Sequence, residues 1–546
     1  MKLFKYGLPF AALALLASCA NDNIDQPNGG ENQTPADGKM YVSVNIAMPN
    51  TLGTKAVDSY VEGVAGEYAA STGKILLFTK DEPGEDYSFF ASADLASLAW
   101  GNHSDGEITT SSTTATAEFN SIEESATYYG IVVLNSTSDF PIPTSTTTKY
   151  SEWKKMAHSQ VGDLGSFVMT NAPGAVVGEE AFSTDKEPAT LVEIDGSAFG
   201  TSPLNLAPAA TFYVQREVAK VTLDQGSGDK ALTKFKVKTP ANYEGTDYVK
   251  FTLWDLDYTN TSVYPVQNVE KFTEWLAIED VTPASFYGSA AQKFVRVWWA
   301  EDPNYDQNSD EYSTEDGGQS PFNELGNKDV ASDLAKVFYP MENTMDAEHM
   351  QRGQTTTAVL KGTYYIDPKG SELPASGKSF ITYGTIKKEV PANVTPKVST
   401  GQSQVPLSTI FSDAKSGDEK SDLDIVMEDL GVTTDVTVDY YHNGAMYYAI
   451  PIRHFDDNES PDLTTDENYA EWKDARFVYP EKYTGRYGLL RNNWYELTIN
   501  SITGLGSPTK PTPEPEDPDD PKDKTYYINA TINILGWAKR GHNYDL

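Results

Sequence analysis

A single cysteine closes the run Leu16-Ala17-Ser18-Cys19, and its type and place suit one chemistry, acylation of a thiol. Small residues before a lone cysteine are what lipoprotein signal peptidase accepts. Ordinary leader cleavage beside an incidental cysteine is the alternative. Lys2 and Lys5 lie ahead of an apolar run from Leu8 to Leu16 that is too short to span a bilayer as a helix but suits a leader core. A diacyl group on the thioether and a chain on the new amino terminus would exceed the one-chain limit that gives only reversible membrane binding. With Cys19 alone, no disulfide within the chain and no multi-cysteine metal site can form.

Other spacings that could carry chemistry fall short. Gly377-Lys378-Ser379 ends like a phosphate-binding loop, but Glu372 stands where the motif needs its first glycine, and a carboxylate there repels phosphate. Asp306-Gln307-Asn308-Ser309-Asp310 begins like a calcium loop, yet Glu311 replaces the required glycine and Gly317 the closing glutamate. Gly401-Gln402-Ser403-Gln404-Val405 lacks the last glycine of a nucleophile elbow. His349 and His442 have no second histidine at metal-ligand spacing. In so acidic a chain, paired carboxylates single out no glycosidase site. The expectation is a protein that is not an enzyme, with no cofactor and no metal.

The formal charge of −37 over 546 residues argues against nucleic acid or a plain anionic membrane surface as partner. It fits a solvated acidic coat that opposes aggregation. With 32 Tyr, 22 Phe and 9 Trp beside abundant Val, Ile and Thr, and with 40 Gly and 31 Pro as punctuation, the chain reads as mainly β with polar connections. Its length suits about two or three domains.

The elements that stand out are two strands at opposite ends. Met40, Val42, Val44, Ile46 and Met48 alternate with Tyr41, Ser43, Asn45 and Ala47. Ile528, Ala530, Ile532 and Ile534 alternate with Asn529, Thr531 and Asn533. Ahead of the second strand, residues 507–524 read SPTKPTPEPEDPDDPKDK, a stiff arm expected to reach ~55 Å at ~3.1 Å per residue. A strand on such an arm is badly placed to close its own domain and well placed to complete another. After the first strand, residues 49–58 are small and polar, an exposed loop that a trypsin-like protease would cut between Lys55 and Ala56. Removal of residues 20–55 would then leave an apolar groove. Burying four or five aliphatic side chains there is worth roughly 6–15 kcal/mol before ordering costs. Both segments could instead be ordinary strands of this chain's own sheets.

Residues 20–39 form a Gly/Asn/Asp/Pro-rich tether, and the weakly acidic Asn21-Asp22-Asn23 would suit transport to the outer leaflet. Strands are expected over Ile75–Thr79, Tyr128–Leu134, Phe167–Thr170, Thr211–Leu223, Tyr248–Trp254, Phe294–Trp299, Thr356–Tyr365, Met446–Ile452 and Asn493–Ile499. Short helices are expected in Thr148–Ser159 and Asn323–Tyr339. The division that follows is a leader over 1–19, a tether with a displaceable strand over 20–55, β-rich domains over 56–223 and 224–506, the arm over 507–524 and a terminal strand over 525–546.

With these features the chain resembles the type V pilins of the Bacteroidales, in particular the major subunits of short (minor) fimbriae in Porphyromonas. Further matching stretches are Tyr213–Leu223, Glu342-Asn343-Thr344 with Arg352–Gly362, Tyr447–Arg453, Tyr487–Ile499, and Gly536-Trp537 with His542-Asn543-Tyr544-Asp545. The resemblance implies two transthyretin-like β-sandwich domains with a detached C-terminal donor strand. It also implies delivery to the outer membrane as a lipoprotein, removal of the first strand, and donor-strand exchange between copies into an extracellular fimbria serving adhesion and biofilm formation. Implied partners are accessory tip and anchor pilins, a trypsin-like surface protease, and receptors on host or bacterial surfaces. Lys55 stands where the family usually has Arg, which leaves the protease's identity open.

Two rival roles remain at this level. A tip subunit need not supply a donor strand, and an anchor should keep its lipidated strand, so the Lys55 loop together with Ile528–Ile534 favours the shaft. A monomeric glycan-binding lipoprotein would use an exposed ring of Trp298 or Trp299, since neighbours on a strand point to opposite faces.

Overall fold

Period-two alternation commits apolar segments to strands, because each strand then buries one face. The computed structural model of the protein describes residues 39–47, 64–98, 112–176, 188–279, 294–306, 320–369, 372–455, 479–510 and 528–535, a few isolated positions excepted, with Phe286 and Ser460. These residues are mainly β with a few short helices.

The first part contributes β1 (Lys39–Ala47), β2 (Gly73–Thr79), β3 (Ser88–Ala96), β4 (Ser112–Asn120), β5 (Thr127–Leu134), β6 (Met169–Asn171), β7 (Gly174–Val176), β8 (Val192–Asp195) and β9 (Pro208–Arg216). Helices α1 (Ala65–Tyr68) and α2 (Tyr150–Trp153) lie among them. Eight strands run in the order β2-β3-β4-β1-β9-β6-β5-β8, and a further β2–β5 pairing closes the circuit. Inside it pack Val42, Val44, Ile46, Ile75, Leu77, Val132, Leu134, Phe212 and Val214. Strands β2 and β5 read as unbroken apolar runs because both their faces are buried. Their other sides, with Leu76, Phe78, Ile131 and Val133, pack on Trp153 of α2, whose indole N–H donates to the Pro141 carbonyl at 2.5 Å.

The rest supplies β10 (Lys220–Leu223), β11 (Phe235–Lys236), β12 (Tyr248–Asp257), β13 (Thr259–Asn260), β14 (Phe294–Arg296), β15 (Phe322–Asn323), β16 (Ser332–Asp333), β17 (Thr357–Tyr365), β18 (Phe380–Tyr383), β19 (Ile386–Glu389), β20 (Gln402–Pro406), β21 (Thr437–Tyr441), β22 (Ala445–Pro451), β23 (Trp494–Ile502) and β24 (Ile528–Leu535). Helices α3 (Phe272–Leu276), α4 (Leu407–Ile410) and α5 (Asp422–Leu430) complete it. The sheet β11-β12-β17-β22, with β16 beside β12, and the sheet β10-β23-β24 share a second core, where Phe251, Trp254, Leu360 and Tyr448 meet Val221, Tyr495 and Leu497. A smaller sheet, β19-β18-β21-β20, carries α4 and α5 on one face. Helix α5 has its own start and stop. The Ser421 hydroxyl accepts from the Asp424 N–H at 3.1 Å, the Asp424 carboxylate accepts back from the Ser421 N–H, and Gly431 ends the helix at a φ of 73°.

Several expected elements differ in the structure; the strand foreseen over Phe294–Trp299 ends at Arg296. The strand foreseen over Thr211–Leu223 is broken: β9 stops at Arg216 and β10 starts at Lys220. Between them the chain crosses from one core to the other, bridging Val218 to Met341 while Ala219 donates to Pro340. The helix foreseen in Asn323–Tyr339 is absent among the described residues, which hold β15 and β16 there instead. Carboxylates of β12 take the backbone donors that a helix would need. Asp257 accepts from the Leu325 N–H at 2.8 Å, and Asp255 accepts from the Ala331 N–H at 2.7 Å and from Ser332.

Candidate functional site

Strand β1 lies inside the circuit, hydrogen-bonded along both edges. Against β4 it runs antiparallel from Lys39↔Asn120 to Ala47↔Ser112 without a break. Against β9 it runs parallel, with Ser43↔Pro208, Asn45↔Thr211, Ile46↔Phe212 and Ala47↔Tyr213. Where β9 has not yet begun, Gly200 closes the same edge through two backbone bonds with Tyr41, at 2.7 and 2.8 Å. A segment this near the start of the chain therefore occupies an interior position in the sheet. Without it, β4 and β9 would each present an open edge, and the circuit would be broken.

The inward face of β1 is apolar by alternation, and Val42, Val44 and Ile46 are each 0% exposed, with Met40 at 6%. The opposing positions of β4 are small, Ala117 facing Val42 and Ala115 facing Val44, which leaves room for branched side chains. Met40 faces Phe119, whose ring meets Phe199 edge-on at 6.0 Å. The outward face is also constrained, since Ser43 is buried and Asn45 donates to the Thr211 hydroxyl at 3.4 Å. On the surface, Lys39 and Glu118 pair at 2.7 Å, an exposed contact that adds little. The face holds no nucleophile and no acid–base pair. Its chemistry is burial and ladder formation, roughly 6–12 kcal/mol for four apolar side chains before ordering costs.

Farther along the chain, α1 is fixed to the crossing between the cores. Glu67 is buried, its carboxylate 2.7 Å from the Lys220 ammonium and accepting from the Tyr339 hydroxyl at 2.6 Å and the Val64 N–H at 3.0 Å. Neither Glu67 nor the flank β4 was singled out from sequence, whereas β9 overlaps the strand foreseen from Thr211. The signals were present: a lone acid in Val64-Ala65-Gly66-Glu67-Tyr68, and the alternate residues Thr113, Ala115 and Ala117 leading to Phe119 in Ser112–Asn120.

The terminal strand β24 is not detached in this structure. It pairs antiparallel with β23, from Trp494↔Leu535 to Ile502↔Ile528. β10 occupies only one edge of β23, and β24 covers the other. Ile528, Ala530, Ile532 and Ile534 thus lie on a hydrogen-bonded strand. Ser507 exchanges backbone bonds with Tyr447, and the Lys510 ammonium donates to the Lys328 carbonyl at 2.6 Å. Cys19, Met48, Lys55 and Ala56 lie outside the described residues.

The remaining motifs have structural roles. Trp298 and Trp299 are buried, at 3% and 0% exposure, so neither ring can stack on a sugar from solvent, and the glycan-binding rival loses the rings it would use. Alternation does not apply to them, because β14 ends at Arg296 before either ring: the Trp299 indole donates to the Tyr305 hydroxyl at 3.3 Å, and Trp298 belongs to the same aromatic cluster. His349 sits 2.6 Å from Asp346 in a turn, and the His442 ring lies 3.0 Å from the Tyr440 hydroxyl. Ser379 accepts from the Asn443 N–H at 2.9 Å, and Ser403 donates to Asp439 at 3.0 Å. Among the described residues no group of three or more His, Cys, Asp or Glu could hold a metal ion, and no helix is long and apolar enough to cross a membrane.

Residues 439–543 match the family model of the major fimbrial subunit protein type IV, fimbrillin, C-terminal region. The matched span runs from β21 through β22 and β23 to beyond β24. Among solved structures, a crystal structure from Parabacteroides distasonis put forward as a cell adhesion protein aligns over 93% of this chain and 99% of its own, at 12% identity and a TM-score of 0.37. No curated protein matches the chain. The family match supports a fimbrial subunit acting at the cell surface, a structural rather than an enzymatic protein.

Proposed function

We propose that this chain is the major shaft subunit of a cell-surface fimbria, of the type V kind that the short fimbriae of Porphyromonas exemplify. It is exported as a lipoprotein acylated at Cys19 and cut between Lys55 and Ala56 by a trypsin-like surface protease. It then polymerises by donor-strand exchange, Ile528–Ile534 of one copy filling the groove vacated by Val42, Val44, Ile46 and Met48 of the next. The fimbria serves adhesion and biofilm formation, with accessory tip and anchor pilins at its ends and receptors on host or bacterial surfaces.

One observation carries this reading. The segment just ahead of the proposed cut is an interior strand, bonded on both edges and buried on its apolar face, while the chain's other end supplies a strand with the same alternation. Cutting beyond β1 would convert a filled circuit into a vacancy of matching shape, and the fimbrillin match over residues 439–543 supports a self-assembling partner. The test is brief trypsin treatment of protein lacking residues 1–19, followed by an unheated denaturing gel. A ladder that disappears on deletion of residues 525–546 is the expected outcome. Monomer in both preparations would overturn the proposal.

A further inference from the structure

Resting on that reading, we infer that the incoming strand takes the direction of β1, with Ala530 seated over Ala117 and Ile532 over Ala115 of the next copy. The groove is asymmetric: its β4 wall is antiparallel to β1 and its β9 wall parallel. Any occupant must therefore be antiparallel to one wall and parallel to the other.

Side-chain type alone does not choose a direction. Read forward, Ala530-Thr531-Ile532-Asn533-Ile534 lays like on like over Val42-Ser43-Val44-Asn45-Ile46. Read backward, Ile532-Thr531-Ala530-Asn529-Ile528 does so equally well, because the segment is nearly symmetric about Thr531. Both directions place a small hydroxyl where Ser43 is buried and an asparagine where Asn45 meets Thr211.

The ladders break the tie. The wall that pairs with β1 over its whole length is β4, in unbroken antiparallel register from Lys39 to Ala47. On the β9 wall the register is short and shifts between Ser43 and Asn45. A reversed occupant would turn the long ladder into a parallel one, whose slanted bonds are less stable per residue, and gain antiparallel geometry only along the short, irregular wall. The forward direction keeps the stronger geometry where there is most of it.

Cysteine pairing reads the direction directly. Cleavage at Lys55 removes Cys19, so introduced thiols are the only ones left. Facing residues of an antiparallel pair lie within the ~4.4–6.8 Å Cα range of a disulfide. Diagonal neighbours, at ~7–8 Å, do not. The full chain carrying Ala530→Cys is mixed with full chain carrying either Ala117→Cys or Ala115→Cys, each trypsin-treated and then oxidised. The expected result is a covalent dimer with Ala117→Cys and none with Ala115→Cys. Ile532→Cys should invert the pattern, linking to Ala115→Cys, and serves if Ala530→Cys fails to fold. Linkage of Ala530→Cys to Ala115→Cys together with Ile532→Cys to Ala117→Cys would overturn the direction. A ladder under reducing conditions with no covalent dimer from any pair would overturn the register. Absence of a ladder from the unsubstituted chain would instead refute strand exchange itself.

Discussion

Ile46 shows how much one side chain of the first strand contributes. It is fully buried, faces Thr113 on one side and Phe212 on the other, and sits in a core of close-packed aliphatic and aromatic groups. Truncating it to alanine removes buried methylenes and leaves a void that the flanking strands cannot collapse, so Ile46→Ala should cost about 2–5 kcal/mol in the uncut chain. Under the proposed cleavage the same residue is discarded with residues 20–55, so filaments of the cut variant should match wild type. Urea unfolding of the uncut chain and of the filament checks both halves. Equal destabilisation in the two states would show that β1 stays in place.

For whole strands the question is which edge each one covers. β24 pairs along β23 from Trp494 to Ile502, and β10 covers the opposite edge over Trp494–Leu497. Deleting residues 528–546 should leave the β24-facing amides of β23 without partners and speed their hydrogen exchange at least about tenfold. Amides of β17, held between β12 and β22, should not change. Unaltered exchange in Trp494–Ile502 would mean that β24 is not seated there in solution. Within β23, Tyr495, Leu497 and Ile499 are buried in the second core, so the strand should remain in place when its edge opens.

Across the whole molecule, the two main cores meet where Arg216-Glu217-Val218-Ala219-Lys220 crosses between them, and its charges are buried with opposite or polar partners. Arg216 donates to Asn492 at 2.7 Å, Lys220 meets Glu67, and Glu217 lies 3.1 Å from His158. Burial alone would lower the His158 pKa, but the Glu217 carboxylate, with Asp139, outweighs it and holds the imidazole above its ordinary value, against a smaller opposing effect of Arg491. The folded state therefore favours protonated His158. That contribution is complete below the unfolded value of about 6.5 and is lost as pH rises through the higher folded value. The stability gap between wild type and His158→Gln should accordingly be larger near about pH 6 than near about pH 9. Thermal unfolding at the two pH values measures it, and a gap that widens with pH would show that the pair does not titrate this way.

What the sequence determined by itself was the local pattern. Alternation at Met40–Met48 and Ile528–Ile534 specified strands with one apolar face, since a period of two permits little else. The mainly β character, and most of the strands foreseen in both halves, followed from the same signal. Only the tertiary structure decided what each strand lies beside. No property of Val42-Ser43-Val44-Asn45-Ile46 says that Ser112–Asn120 and Pro208–Arg216, far along the chain, flank it on both edges. None in Trp298-Trp299 says that the strand stops before them and both rings are buried, or in Asn323–Tyr339 that Asp255 and Asp257 capture its backbone donors. Helix α5 carries its own boundaries in Ser421, Asp424 and Gly431, while its polar surroundings hide its periodicity. Side-chain period reports which face of an element is buried. Edge partners are chosen by hydrogen bonds between residues remote in sequence, and those form only when the chain is folded.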